Sequence, residues 1–493
     1  MLPSFPSVTF PNHFTLVTGL YPQDHGIVSN QFWDPELKEE FYYTNTQVSM
    51  QPKWWNAEPI WSVAEKQGLR TAIHMWPGSE AHIPDVEPTY LDKYNGTEGL
   101  PNKVNRILGW LDLPSEYDDS DAPEHRPQLI GAYVPNVDAD GHKYGPNSTE
   151  ILAAIADVDG MMTLLIEGLY ERNLTELVNI IVVSDHGMAT TSNKRLIQLD
   201  DLIDLSLVDH IDGWPLRGLR LKDPDRDVSI LYRQLQDAAK HAGTFEVYTL
   251  DTMPERYHFN DNDRIAPLWI IPKAGWAVVE KSDFDVSEAQ VTGELYSPKG
   301  LHGYDHEVSI FRIRIIRLGL LTLVQHPLMR AIFIARGPAF PHIPNSRLPA
   351  FQNIEVYNII CDSLGINPKS NNGTLRLPLK PEGLHSDADA PKPDLPLDPV
   401  DDEDKTTQVN NPSQTQNQAS DAPSSALESP SNTLVPGVEP DDTLQEEKKP
   451  TDSKTSWWDF IHDQLAKAKD WAKQFVDSIK DNRPPANGTD VTS

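Results

Sequence analysis

The chain has 493 residues, of which 38% are hydrophobic, and a formal net charge of −31. A chain of this length can hold two or three domains. Its negative charge argues against binding to the phosphate backbone of a nucleic-acid duplex. The single cysteine, Cys361, excludes an internal disulfide framework. Neither a signal peptide nor an apolar run long enough to span a bilayer is evident. Sequons nevertheless favour a secretory, extracellular or membrane-anchored protein, and they lie at Asn95, Asn147, Asn173, Asn372 and Asn487.

The segment Thr9-Phe10-Pro11-Asn12-His13 is typical of a helix start. Thr9 precedes the predicted helix, and Pro11 suits a first helical turn because its missing N–H costs nothing there. Apolar residues follow at helical spacing, at Phe14, Val17 and Leu20. The Thr9 side chain is therefore expected beside unpaired backbone N–H groups, which favour an anion such as phosphate. An ordinary N-cap role for Thr9 is the alternative.

Two apolar runs in the middle of the chain, 128–134 and 178–183, predict strands of a parallel sheet buried on both faces. A helix is expected between them, roughly from Thr149 to Glu171. This strand–helix–strand alternation indicates an α/β fold. Its functional sites lie at the carboxyl ends of the strands.

Polar residues that suit a metal follow each of these strands. Asp138 and His142 follow the first strand, and a tight turn through the glycine between them would aim both at one ion. Asp185 and His186 follow the second, where a sharp turn is needed to direct both inward. Carboxylate and imidazole groups are good zinc ligands. Asp140 is a competing carboxylate in the first pair.

Three segments, 3–14, 18–22 and 25–30, together closely resemble the nucleophile region of the nucleotide pyrophosphatase/phosphodiesterases, which are zinc enzymes of the alkaline phosphatase superfamily. The resemblance implies that Thr9 attacks phosphorus and that Asn30 hydrogen-bonds a phosphate oxygen. It also implies an alkaline-phosphatase-like core sheet with helices on both faces. The implied reaction cleaves phosphodiester or diphosphate bonds of nucleotides, through a phospho-threonine, to nucleoside 5′-monophosphates.

The segment from Gly300 to Asp305 resembles the family's Gly-x-His-Gly-Tyr-Asp motif, whose histidine binds zinc. The resemblance implies two zinc ions. The first would be held by Asp138, His142 and His302, and the second by Thr9, Asp185, His186 and one further Asp. The implied substrate-binding residues are Phe10 and Tyr94, which would stack on a nucleoside base, and Trp76, which would border the pocket.

The further Asp belongs to a family motif well upstream of the threonine, whereas only eight residues precede Thr9 here. The expectation is that the chain lacks its native N-terminus, including the first strand of the sheet, and is weakly active at best. A non-catalytic binding protein is one alternative function. A phosphomonoesterase or sulfatase of the same superfamily is another, but Thr9 with Asn30 disfavours it.

The expected catalytic domain covers residues 1–385 and contains an apolar insert, 308–325, with the length and ends of a retained fungal-type intron. A genuine surface insertion is the alternative, and three arginines in the insert argue against a membrane span. Residues 386–455 form an acidic linker rich in Pro, Ser and Asp, which is expected to be disordered. Residues 456–481 predict an amphipathic helix that docks on a membrane surface, a protein partner or the enzyme itself. A disordered tail, 482–493, would follow.

Overall fold

The computed structural model describes residues 1–83, 86–115, 117–118, 121–305, 327–386 and 396–399. Helices and strands alternate through these ranges. The helices are α1 (Thr9–Thr18), α2 (Pro22–His25), α3 (Thr46–Ser49), α4 (Ile60–Lys66), α5 (Leu100–Leu111), α6 (Asn136–Tyr144), α7 (Thr149–Glu171), α8 (Leu199–Leu202), α9 (Pro224–Ala242), α10 (Val286–Thr292) and α11 (Glu355–Leu364). The strands are β1 (Gln31–Asp34), β2 (Glu39–Tyr42), β3 (Thr71–His74), β4 (Tyr90–Asp92), β5 (Leu129–Ala132), β6 (Ile180–Val183), β7 (Ala189–Thr190), β8 (Leu196–Gln198), β9 (Val208–Asp212), β10 (Arg217–Leu221), β11 (Phe245–Thr249), β12 (Leu268–Pro272), β13 (Ala277–Val279), β14 (Gly300–Leu301), β15 (Phe333–Arg336), β16 (Ser346–Arg347) and β17 (Gly383–Leu384).

Strands β4, β3 and β5 form a parallel sheet in that order, which confirms the predicted α/β class. Side chains of a strand alternate between the two faces of a sheet. Leu129 of β5 packs into the apolar cluster that contains residues of α1 and α4. Ile130 and Ala132 of the same strand pack against the cluster formed by α5 and α7. Helices therefore cover both faces of this sheet.

The burial predicted for the two site-bearing strands is wrong. Every residue of β5 and β6 is half-buried, and β6 pairs antiparallel with β15 instead of lying in a parallel arrangement. In the described part of the chain β5 pairs with β3, and β6 with β15. A strand needs neighbours on both edges as well as helices on both faces to be fully buried, so the apolar composition alone overestimated the burial.

A four-stranded antiparallel sheet, with the order β11-β12-β10-β9, packs its apolar residues with those of α9 into a separate cluster. The remaining strands form short pairs, of which β14 with β7 matters most, because His302 follows β14 directly. The small antiparallel pairs thus bring the loop after Leu301 next to the loop after β6.

None of the helices in the described ranges is long and apolar enough to cross a membrane. The predicted insert 308–325, amphipathic helix 456–481 and tail 482–493 lie outside the described residues, as does most of the predicted linker 386–455. Within that linker, residues 386 and 396–399 are described. There Pro396 accepts a hydrogen bond from the Arg195 guanidinium, which also pairs with Asp398.

Candidate metal centre

Three histidines of the predicted site are buried, and each has one ring nitrogen next to a backbone carbonyl. Nδ1 lies 2.8 Å from Gly300 O in His142, 2.9 Å from Ser7 O in His302 and 2.9 Å from Gly187 O in His186. A carbonyl only accepts hydrogen bonds, so each Nδ1 carries the proton. In His142 and His302 this assignment leaves the Nε2 lone pair to point into the site, as in histidines that bind metals.

The first predicted ligand set comes together. The ligand atoms of Asp138, His142 and His302 lie within 4.8 Å of one another. The two histidine Nε2 atoms are 3.1 Å apart, and Asp138 Oδ1 lies 3.5 Å from Nε2 of His142 and 3.8 Å from Nε2 of His302. Two lone-pair nitrogens at this distance repel each other unless a proton or a cation lies between them. This donor set suits Zn²⁺, which favours imidazole and carboxylate ligands.

The tight turn predicted between Asp138 and His142 is wrong. Both residues lie on helix α6, where residues four apart share one face. Asp140, the competing carboxylate, is not in the cluster, because a residue two positions further along a helix points elsewhere. The helix therefore selects Asp138 over Asp140.

The second predicted pair follows β6. Asp185 Oδ2 lies 3.0 Å from Nε2 of His186, and the His186 ring stacks on His302 with centroids 3.5 Å apart. This stack places His186 beside the first ligand set, but among the described residues Asp185 and His186 are not part of that group. Gly187 is required here, because a Cβ at this position would lie 2.0 Å from the backbone oxygen of Leu328.

The electrostatics of the site favour a cation. Asp138 Oδ1 is buried and has no hydrogen-bond partner among the described residues, and such a group is costly to leave unpaired. Burial opposes a charge on His186, but the Asp185 carboxylate outweighs it and raises the pKa of His186. Burial, with His186 and His142 nearby, holds the pKa of His302 well below its ordinary value. The residues present therefore fit a bound metal.

Thr9 is the first residue of α1 rather than the residue before it, and Val8 occupies the N-cap position without a side-chain cap. Asn30 supplies the missing acceptor, since its Oδ1 accepts a hydrogen bond from the backbone N–H of Phe10 at 2.8 Å. The Nδ2–H donors of Asn30 thus remain for another group. The N-cap alternative for Thr9 is wrong, and its hydroxyl stands at the positive end of a helix.

Backbone contacts tie the Thr9 loop to the metal ligands. Ser7 O accepts the hydrogen bond from His302, and Ser7 Oγ donates to Tyr304 O at 2.7 Å. On the other side, Nδ1 of His13 lies 2.9 Å from Thr9 O and 3.2 Å from Asp185 Oδ2. Thr9 is therefore held between the loops that carry the two ligand sets.

The three predicted substrate-binding aromatics differ in their exposure and in the residues that they contact. Trp76 donates from Nε1 to His13 O at 3.3 Å. Tyr94 is 41% exposed, with its ring 6.5 Å from that of Tyr133. Phe10 is buried, and its ring lies 5.4 Å from that of Tyr43. Base stacking by Phe10 and Tyr94 stays a prediction.

Sequence reasoning assigned no role to His13 or Tyr133, although both contact the site. The His13 ring meets Tyr133 edge-on at 4.9 Å. Burial, together with the charges of Asp138 and Asp185, raises the pKa of Tyr133 well above its ordinary value. One signal was available for His13, since it follows Thr9 by four residues and must share its helix face.

Comparison with known proteins gives the class that this fold and site define. Residues 1–305 match the family model for type I phosphodiesterase/nucleotide pyrophosphatase. A pyrophosphatase/phosphodiesterase of Schizosaccharomyces pombe is 43% identical over 388 residues, which are 77% of this chain and 73% of the relative. Human ectonucleotide pyrophosphatase/phosphodiesterase family member 1 is 35% identical over 76% of this chain and 37% of its own length. Murine ectonucleotide pyrophosphatase/phosphodiesterase 5 superposes with a TM-score of 0.63 and 31% identity, covering 76% of this chain and 88% of that one.

The chain belongs to the type I phosphodiesterase/nucleotide pyrophosphatase family and hence to the alkaline phosphatase superfamily. It spans about a third of the human relative and about half of the Saccharomyces cerevisiae relative, of which it covers 52% at 35% identity. An inactive variant of the murine protein was solved in complex with AMP.

Proposed function

We propose that the protein is a two-zinc hydrolase that cleaves phosphodiester or diphosphate bonds of nucleotides and releases nucleoside 5′-monophosphates. Asp138, His142 and His302 would hold one zinc ion, and Thr9, Asp185, His186 and one further Asp would hold the other. The observation that carries the proposal is the convergence of Asp138 with the Nε2 atoms of His142 and His302 on one site, next to the loop that leads to Thr9.

In the first half of the reaction, the Thr9 oxygen forms a bond to phosphorus. The bond from phosphorus to the leaving oxygen breaks, and the Thr9 proton passes to solvent or to the leaving group. The Nδ2–H donors of Asn30 stabilise the charge on a phosphate oxygen, because its Oδ1 is already fixed by the Phe10 N–H. When bound, the zinc ions make the hydroxyl more acidic and neutralise the leaving oxygen.

In the second half, water attacks phosphorus in phospho-Thr9. The Thr9 Oγ–phosphorus bond breaks, Thr9 regains a proton, and the nucleoside 5′-monophosphate leaves. Both halves use the same face of α1, so the helix N-terminus favours the anion throughout.

The nucleoside would lie against the aromatic residues beside the centre. Tyr94 is partly exposed next to Tyr133, and Phe10 lies at the start of α1. The AMP complex of the murine relative supports a nucleotide substrate. Because two relatives are named ectonucleotide pyrophosphatase/phosphodiesterases, we also propose an extracellular or membrane-anchored, glycosylated protein. Residues 456–481 would make a further contact to a membrane surface or a protein partner.

The proposal is tested with a nucleoside 5′-monophosphate p-nitrophenyl ester and with zinc analysis of the purified chain. Expected results are two zinc ions per chain, release of nitrophenol and the nucleoside 5′-monophosphate, and a loss of turnover of about 10³-fold or more in Thr9→Ala. Thr9→Ala should still fold, because Val8 and not Thr9 is the N-cap residue of α1. One zinc or none, with nucleotide binding but no turnover, would instead identify a binding protein. Preferential hydrolysis of p-nitrophenyl phosphate or sulfate would identify a monoesterase or sulfatase.

A further inference from the structure

His13 is a buried histidine on the nucleophile helix, and none of the proposed catalytic steps uses it. It is 5% exposed and lies one helical turn after Thr9. Its Nδ1 lies within hydrogen-bonding distance of two acceptors, the carbonyl of Thr9 at 2.9 Å and the carboxylate oxygen Oδ2 of Asp185 at 3.2 Å. One nitrogen therefore connects the nucleophile to a proposed metal ligand that follows another element, β6.

We propose that His13 is a positioning residue, which fixes the Asp185 carboxylate and sets its placement relative to Thr9. This inference rests on the proposed two-zinc function. A carboxylate can rotate about its last bond and offer either oxygen to a metal. The His13 N–H holds Oδ2 in one orientation, as hydrogen-bond partners of metal ligands commonly do.

The surroundings of His13 prevent its ring from turning away. Tyr133 meets the ring edge-on at 4.9 Å and Trp76 does so at 5.3 Å. Trp76 also donates a hydrogen bond to the His13 carbonyl. A ring clamped by two aromatics loses little entropy when it donates to Asp185, so the contact is pre-organised.

A merely structural role predicts a different pattern of effects. If His13 only filled the core, an apolar side chain of similar size would serve equally well. If His13 positions Asp185, a side chain that keeps an N–H donor should restore the zinc affinity that an apolar side chain loses. The matched comparison is therefore His13→Leu against His13→Asn, with His25→Leu as the control. His25 is also buried but contacts Thr15 rather than the metal cluster.

The test is a zinc titration against a competing chelator, with Co²⁺ absorption spectra as a second readout. In His13→Leu, one of the two metals should bind about 10–100-fold more weakly, and its Co²⁺ spectrum should change. His13→Asn should recover most of this affinity, and His25→Leu should bind both metals like the wild type. These readouts do not depend on turnover.

Two results overturn the inference alone, while leaving the proposed function intact. One is wild-type affinity for both metals in His13→Leu, and the other is an equal loss in His13→Leu, His13→Asn and His25→Leu. Fewer than two metals in the wild-type chain overturns the two-zinc proposal and this inference together. If His13→Leu does not fold, the comparison of His13→Asn with the wild type decides, and only near-wild-type affinity supports the inference.

Discussion

The side-chain oxygen Oδ1 of Asn30 accepts a hydrogen bond from the backbone N–H of Phe10 at 2.8 Å, and so joins the end of the proposed nucleophile motif to its start. One half of the Asn30 amide is structural, and the other half, Nδ2, is proposed to bind a phosphate oxygen of the substrate. The two roles can be separated by mutation.

Asn30→Asp keeps an acceptor for Phe10 but removes the Nδ2–H donors. We expect kcat/KM for the nucleotide ester to fall about 10²–10³-fold, with little change in melting temperature. Asn30→Ala removes the acceptor too, and should cost about a further 1 kcal/mol of folding stability. Steady-state kinetics and thermal melts of both variants check this. Wild-type kcat/KM in Asn30→Asp contradicts it.

Gly187 lies in the chain between His186 and strand β7, which pairs with β14. In Gly187→Ala, the new Cβ would meet the Leu328 backbone oxygen at 2.0 Å, so the backbone must shift. We expect lower stability and weaker zinc binding. Gly160→Ala in α7 is the matched control, because nothing lies within 4 Å of its Cβ and alanine is favoured there by about 1 kcal/mol. Urea unfolding and zinc titration measure both variants, and equal behaviour would refute the prediction.

His25 is neutral in the folded chain. It lies between the Ile27 N–H, which donates to Nδ1 at 3.2 Å, and the Thr15 hydroxyl, 3.1 Å from Nε2. Burial lowers the pKa of His25 from 6.5 to about 3. Between these values the unfolded chain binds a proton that the folded chain does not, so acid reduces the free energy of unfolding.

The contribution of His25 is about 1.4 kcal/mol per pH unit at most, present above pH 6.5 and lost as the pH falls toward 3. His25→Gln should therefore have a shallower dependence of stability on pH between 6.5 and 5. Urea unfolding at several pH values measures the two slopes. Parallel profiles for the wild type and His25→Gln would show that His25 takes up its proton in the folded state.

Removing the metal should destabilise the protein, and mutating a metal ligand should weaken zinc binding. A chelator should lower the melting temperature, and zinc at 100 times its Kd should restore about 2.7 kcal/mol. Asp138→Asn should weaken zinc binding by more than about 10–100-fold, which is the loss typical of mutating a residue that only hydrogen-bonds to a metal ligand. Asp140→Asn on the same helix is the control, since Asp140 is not in the cluster. Similar zinc affinities of the two variants would exclude Asp138 as a ligand.

Local patterns predicted much of the chain. The helix expected from Thr149 to Glu171 has these bounds, because a serine cap and a long apolar stripe define it within one segment. The choice of Asp138 over Asp140 came from the resemblance, and helix α6 gives its physical reason. Local patterns could not predict the burial of β5 and β6, because this burial depends on which other strands pair with their edges.

The sequence by itself determined the family, the helix that begins at the nucleophile motif and the residue types that suit zinc, because these depend on short-range spacing and on motifs within single segments. Only the tertiary structure decided that His302 faces His142, that His186 stacks on His302, and that His13 connects Thr9 to Asp185. These contacts join residues far apart in the chain. Their geometry depends on how strands and helices pack, which no single segment specifies.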